Sequence, residues 1–292
     1  MKIRHVAILP ALMTLGNALC GFGAITLTTK ALALAAPDAA HAMDPKTVMW
    51  AGGLVLVAMV FDALDGRVAR FARATSDFGG QLDSVADAVS FGVAPAFLMN
   101  RVVVESLKQS APKEVLWVTW VCAAVYLGCA LIRLARFNVE NEEDEEAHMS
   151  FKGLPSPAAA GVIVSVVIFL ATCWECNAYP RVTLALLWAL PILAVVLGLL
   201  MVSNVEYEHA LNRVFRKRRP ISHLVLIVLT LAIVVLGLAV VPMMRRLVLV
   251  AGFGAYLLSG PMAGAIRRIT GRGPAPEAED ADDEETACGG EE

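Results

Sequence analysis

The sequence predicts an all-α fold, a polytopic transmembrane bundle of about eight helices, on three observations. Of its 292 residues, 58% are hydrophobic and only 17% are charged, and the mean hydropathy is +0.65, well past the apolar share of a soluble domain. The apolar residues come in runs of roughly 20, the length a helix needs to cross a bilayer. The Lys and Arg residues gather in the breaks between runs and favour one side of the membrane. The formal net charge of −3 sums an acidic tail, an acidic loop and several basic clusters, and no nucleic-acid footprint emerges from them.

The chain opens with a basic start and an apolar stretch, as a signal peptide would, but the stretch is long enough to span a bilayer and reads as a first helix, Leu12 to Leu34. Pro37, Asp38 and Pro45 break the chain before a second run, Val48 to Phe71. Further spans are expected at Phe78 to Val104, Val115 to Phe137, Pro155 to Cys173, Val182 to Val202, Ile221 to Val241 and Leu247 to Ile266. Gly153, Pro155 and Pro157 most simply mark a tight turn into the fifth of these, the alternative being a loop that closes over a substrate. Glu140 to Glu146 reads as a solvated loop, and the Pro, Gly and acidic content of residues 271–292 as a disordered tail, which leaves residues 1–270 as the membrane domain. Cys173 and Cys176 form a C-x-x-C with no second pair nearby, and most simply behave as small hydrophobes.

An even number of spans puts both termini on one side. If that side is the cytoplasm, sixteen of the 24 Lys and Arg residues lie there, in the segments around Arg4, Arg70, Arg136, Arg216 and Arg268. The prediction is therefore a multi-pass protein with both termini in the cytoplasm.

Four acidic residues lie inside this apolar sequence, between Phe61 and Pro95. Asp62 and Asp65 are three apart and Asp83 and Asp87 four apart, so each pair shares a helix face and the two pairs can meet across a helix contact. On the second helix the same stripe carries Gly66, Ala69 and Arg70: two small residues that leave room for a bulky ligand, and a guanidinium able to fork onto phosphate oxygens. Four carboxylates so close repel one another unless cations neutralise them, and oxygen-only ligands suit Mg²⁺ or Mn²⁺. Three readings fit these residues: a divalent-metal site holding a pyrophosphate, buried ion pairs with Arg67, Arg70 and Arg73, or the acidic lining of a cation transport path.

The spacing D-x-x-D-G-x-x-A-R-x8-G-x3-D-x3-D is matched at Asp62, Asp65, Gly66, Ala69, Arg70, Gly79, Asp83 and Asp87. Through this signature, residues 62–87, the chain resembles the CDP-alcohol phosphatidyltransferase family. The resemblance implies a helical membrane enzyme, a homodimer, that uses two divalent cations to move a phosphatidyl group from CDP-diacylglycerol to an alcohol. It implies that Asp62, Asp65, Asp83 and Asp87 bind the metals, that Gly66 and Arg70 contact the CDP moiety with Ser76 beside them, and that Asp87 is also the base. Thr14 and Asn17, three apart on the first helix, either close the nucleotide pocket or hydrogen-bond across a helix contact.

The signature does not choose the acceptor, and glycerol phosphate, inositol phosphate and choline are alternatives. The segments TLGNALCGFGAI, RLARFN and FKGLPSPAAAG resemble members of the bacterial cytoplasmic membrane that use L-serine, over about Ile8 to Asn204. Serine carries a carboxylate, and Arg133 and Arg136, with Asn138 just beyond, are the candidates to bind it; the plainer role for the arginines is to cap a helix or hold lipid phosphates.

Overall fold

In the computed structural model, the residues described are 8–34, 43–72, 77–108, 110–143, 153–176, 179–203, 251–255 and 257, with side chains from residue 11 and excepting those of 66–77 and 140–143. Among them there is no strand. The helices are α1 (Ile8–Ala33), α2 (Pro45–Ala72), α3 (Asp77–Asp87), α4 (Ala94–Leu107), α5 (Lys113–Glu143), α6 (Ser156–Glu175) and α7 (Pro180–Val202). A π-helical segment, Ala88–Val93, joins α3 to α4 without a break.

Six stretches are long and apolar enough to cross a membrane: Ala11–Ala33, Pro45–Asp65, Phe78–Leu107, Lys113–Val139, Ser156–Glu175 and Pro180–Val202. They correspond to the first six expected spans, and the bundle is that of a polytopic helical membrane protein. The expected span at Ile221 to Val241 and the tail lie outside the described residues, as does most of the span at Leu247 to Ile266. Most helix ends fall within about four residues of the expected ones, and one differs by more. The loop expected from Glu140 is still helical to Glu143, because α5 runs on past the apolar stretch; Glu has good helix propensity, and nothing in the run breaks the helix.

α6 is the helix at the centre. Nearly all of its residues from Ser156 to Trp174 are buried, which its sequence, mostly small and aliphatic and without a charge before Glu175, permits. Its buried hydroxyls are satisfied within the helix, Ser165 Oγ donating to the Val162 carbonyl at 2.8 Å and Thr172 Oγ1 to the Ile168 carbonyl at 2.6 Å. α2 packs along α6, α1 along α2, and α5 along α7. The outer helices turn Leu12, Leu19, Phe22, Trp117, Ile132 and Ile192 outward, the surface a lipid environment accepts.

The π-helical segment has a local cause. Pro95 has no N–H, so the Phe91 carbonyl lacks its usual partner four residues on. The buried Tyr126 hydroxyl of α5 donates to that carbonyl instead, at 2.9 Å, and the Ala94 N–H bonds five residues back to Val89. The widened turn starts immediately after Asp87. α1 presses closely on it: a Cβ at Gly21 would stand 2.7 Å from Ser90 Cα, a space that glycine alone leaves open.

Candidate active site

α2 presents Asp62 and Asp65 near the end of its apolar stretch, and α3 presents Asp83 and Asp87 along one face. The two helices bring these residues together. One carboxylate oxygen from each of Asp62, Asp83 and Asp87 lies within 4.8 Å of the others. Asp65 is buried and lies within hydrogen-bonding reach of Asp83.

α1 closes the group from one side. Thr14 Oγ1 donates to Asp65 Oδ2 at 3.2 Å, and Asn17 Nδ2 donates to Asp87 Oδ1 at 2.9 Å. Thr14 and Asn17 are themselves buried, so in this state they touch one carboxylate from each acidic pair. Asn17 is held in turn, since Ser90 Oγ donates to its backbone carbonyl at 2.8 Å. The glycine at position 21 brings that serine near enough to do so.

The donor set fits a hard divalent cation. It consists of carboxylate oxygens alone, and Asp83 Oδ1 is buried with no hydrogen-bond partner among the described residues. An acceptor oxygen left that way is costly unless something electropositive faces it. Two carboxyl groups as near as Asp65 and Asp83 also need a proton or a cation between them.

On the other flank of the cluster lies α5. The Arg133 guanidinium is near enough to Asp62 for the two charges to interact, and its Nη1 donates to Ser156 Oγ at the start of α6. Asn138 Oδ1 accepts a hydrogen bond from Ser84 Oγ at 2.9 Å, tying the end of α5 to the helix that carries Asp83 and Asp87. Arg136 is exposed. Gly66, Ala69 and Arg70 continue α2 beyond Asp65, but their side chains lie outside the described residues, as does Ser76 altogether.

Three serines at this site had no signal of their own in the sequence. Ser84 falls in an unspecified position of the aspartate spacing, Ser90 follows it on an apolar stretch, and Ser156 sits between two prolines. Their partners stand on other helices, far away in the chain. The proline and glycine content around Ser156 marked a turn, and the turn is present: Gly153 has φ +91 and Pro155 caps α6.

The family model described as CDP-alcohol phosphatidyltransferase matches residues 7–200, ending within the last turn of α7. Among curated proteins, the CDP-diacylglycerol–serine O-phosphatidyltransferase of Methanocaldococcus jannaschii is 35% identical over 162 residues, 56% of this chain and 65% of that protein. The protein of the same name from Mycobacterium tuberculosis is 35% identical over 170 residues, 57% of this chain and 50% of the relative. That of Bacillus subtilis is 31% identical over 156 residues, 53% of this chain and 73% of the relative. The chain thus spans from half to just under two thirds of the length of the first two.

Proposed function

The chain belongs to the CDP-alcohol phosphatidyltransferase family, and from that premise we propose that it transfers the phosphatidyl group of CDP-diacylglycerol to the hydroxyl of L-serine. The observation that carries this reading is the convergence of carboxylates from α2 and α3 under α1, in a chain similar to relatives named for serine transfer.

The serine oxygen attacks the phosphorus that bears the diacylglycerol. A new P–O bond forms, the P–O bond to CMP breaks, and CMP leaves. Asp87 takes the hydroxyl proton, and Asn17 orients the carboxylate for that task through its 2.9 Å hydrogen bond. Asp62, Asp65, Asp83 and Asp87 would hold two divalent cations, Mg²⁺ or Mn²⁺, which when bound neutralise charge on the phosphoryl oxygens. Gly66, Ala69, Arg70 and Ser76 receive the cytidine diphosphate, with Thr14 and Asn17 on the opposite side. Arg133, Arg136 and Asn138 receive the amino acid, the guanidinium group being the natural partner of its carboxylate.

In the same reading residues 1–270 form the catalytic domain, with 271–292 an acidic tail. The protein works as a homodimer in the bacterial cytoplasmic membrane, with lipid tails of the donor kept in the bilayer and the carboxylates open to the cytoplasm.

The test is direct. Purified protein is given CDP-diacylglycerol, Mn²⁺ and, in turn, serine, glycerol phosphate, inositol phosphate and choline, and lipid products and CMP are measured. Phosphatidylserine formed in step with CMP is the expected outcome; a different lipid product, or no CMP with any acceptor, overturns the reading.

A further inference from the structure

Arg133 and Asn138 are five residues apart on α5, so their side chains leave the helix about 140° from one another. Each is fastened to a different neighbour. Arg133 Nη1 donates to Ser156 Oγ on α6, and Asn138 Oδ1 accepts from Ser84 Oγ on α3. The two anchors have different settings. Ser84 directly follows Asp83 and is half-buried, so any shift of its helix moves the carboxylates with it.

Ser156 is fully buried and firmly placed. The turn before it docks on the end of α7, where the Leu154 N–H donates to the Leu200 carbonyl at 3.1 Å. Gly153 makes that docking possible twice over: its φ of +91 disfavours other residues, and a Cβ there would stand 2.5 Å from the Met201 carbonyl. The serine hydroxyl is therefore held at a set position before Arg133 meets it.

We propose that Ser84 and Ser156 are positioning residues for the acceptor, a role that rests on the reading of Arg133 and Asn138 as the residues that receive serine. Ser156 commits one of the five guanidinium donors of Arg133 and so fixes the plane in which the group presents itself to a carboxylate. Ser84, whose one hydroxyl proton has Asn138 Oδ1 at 2.9 Å and the Gly80 carbonyl of its own helix at 3.1 Å as acceptors, engages the amide oxygen of Asn138 and so ties its amide to α3. Because the two hydroxyls act from helices on either side of α5, the acceptor groups keep their spacing relative to the aspartates. A geometric error of this kind is felt in binding and orientation of the acceptor. Mere helix packing would serve the nucleotide substrate equally.

Steady-state kinetics of the full-length protein with each substrate varied in turn separate these roles. Ser156→Ala is expected to raise the KM for serine about tenfold, the loss of one hydrogen bond to a charged group, and to move the KM for CDP-diacylglycerol less than twofold. Ser84→Ala should act in the same direction, and Ser156→Thr, which restores the hydroxyl, should bring the serine KM most of the way back. An unchanged serine KM in both alanine variants, or equal rises in both KM values without rescue by threonine, overturns the positioning role. Should Ser156→Ala fail to accumulate, Ser84→Ala and Ser156→Thr decide it. Wild-type protein that makes no phosphatidylserine overturns the acceptor reading and this inference together, whereas wild-type protein that makes it beside kinetically normal variants overturns this inference alone.

Discussion

Asp87 is the residue on which the most demands meet. It is buried, it shares the three-carboxylate cluster with Asp62 and Asp83, and it alone takes the amide of Asn17. Asp87→Asn keeps its size and removes its charge and its capacity to accept a proton. Transfer should fall at least about a hundredfold, the usual worth of a positioned base, while CDP-diacylglycerol still binds; near-normal CMP release would remove Asp87 from the role of base. The meeting of the aspartates was legible in the sequence, because carboxylates at helical spacing in bilayer-grade sequence have few places to go. Thr14 was legible too, as a polar residue on an apolar helix, but the hydroxyls of Ser84, Ser90 and Ser156 were not. A serine in a membrane helix costs little and is common at helix contacts, so nothing distinguishes Ser84 or Ser156 from their neighbours until the folded chain brings Asn138 and Arg133 to them.

Helix lengths were readable for the same physical reason that the spans exist, since apolar runs must match the bilayer. What hydropathy does not encode is the winding within a span. The third expected span, Phe78 to Val104, reads as one helix in the sequence but is two α-helices joined by π-helical turns in the structure. Its cause, Pro95, was visible, but the partner that stabilises the displaced carbonyl, Tyr126, is on another helix. The π-helical segment also sets where Ser90 meets α1, and Gly21 is the point of contact. Gly21→Ala would drive a methyl group to 2.7 Å from Ser90 Cα, and overpacking of this kind costs about 1–3 kcal/mol. Since backbone atoms cannot swing away as a side chain can, α1 should shift and carry Asn17 off Asp87. The expected result is a lower unfolding temperature in detergent together with reduced turnover. Wild-type values of both would show that the two helices separate freely at this point.

Six spans carry the chain back to the side from which it started, so the carboxylates, the end of α5 and the start of α6 share one face with the end of α7. The four exposed tryptophans, Trp50, Trp117, Trp120 and Trp188, lie within about three turns of the opposite helix ends, where an aromatic belt meets the membrane–water interface. Which face meets the cytoplasm depends on the cations. Through Val202 they divide eight to six in favour of the carboxylate face. The proposed transfer, with its nucleotide donor and CMP product, requires that face to be the cytoplasmic one, and labelling tests it. Cys176 is exposed just beyond α6, on the tryptophan side, and Phe78 is 75% exposed at the start of α3, on the carboxylate side. With the other cysteines replaced, an impermeant maleimide added to intact cells should label Cys176. In a cysteine-free background, Phe78→Cys should be labelled only after the membrane is opened. The reverse pattern would turn the carboxylates outward, away from any pool of cytidine nucleotides, and would sink the transferase reading along with the topology.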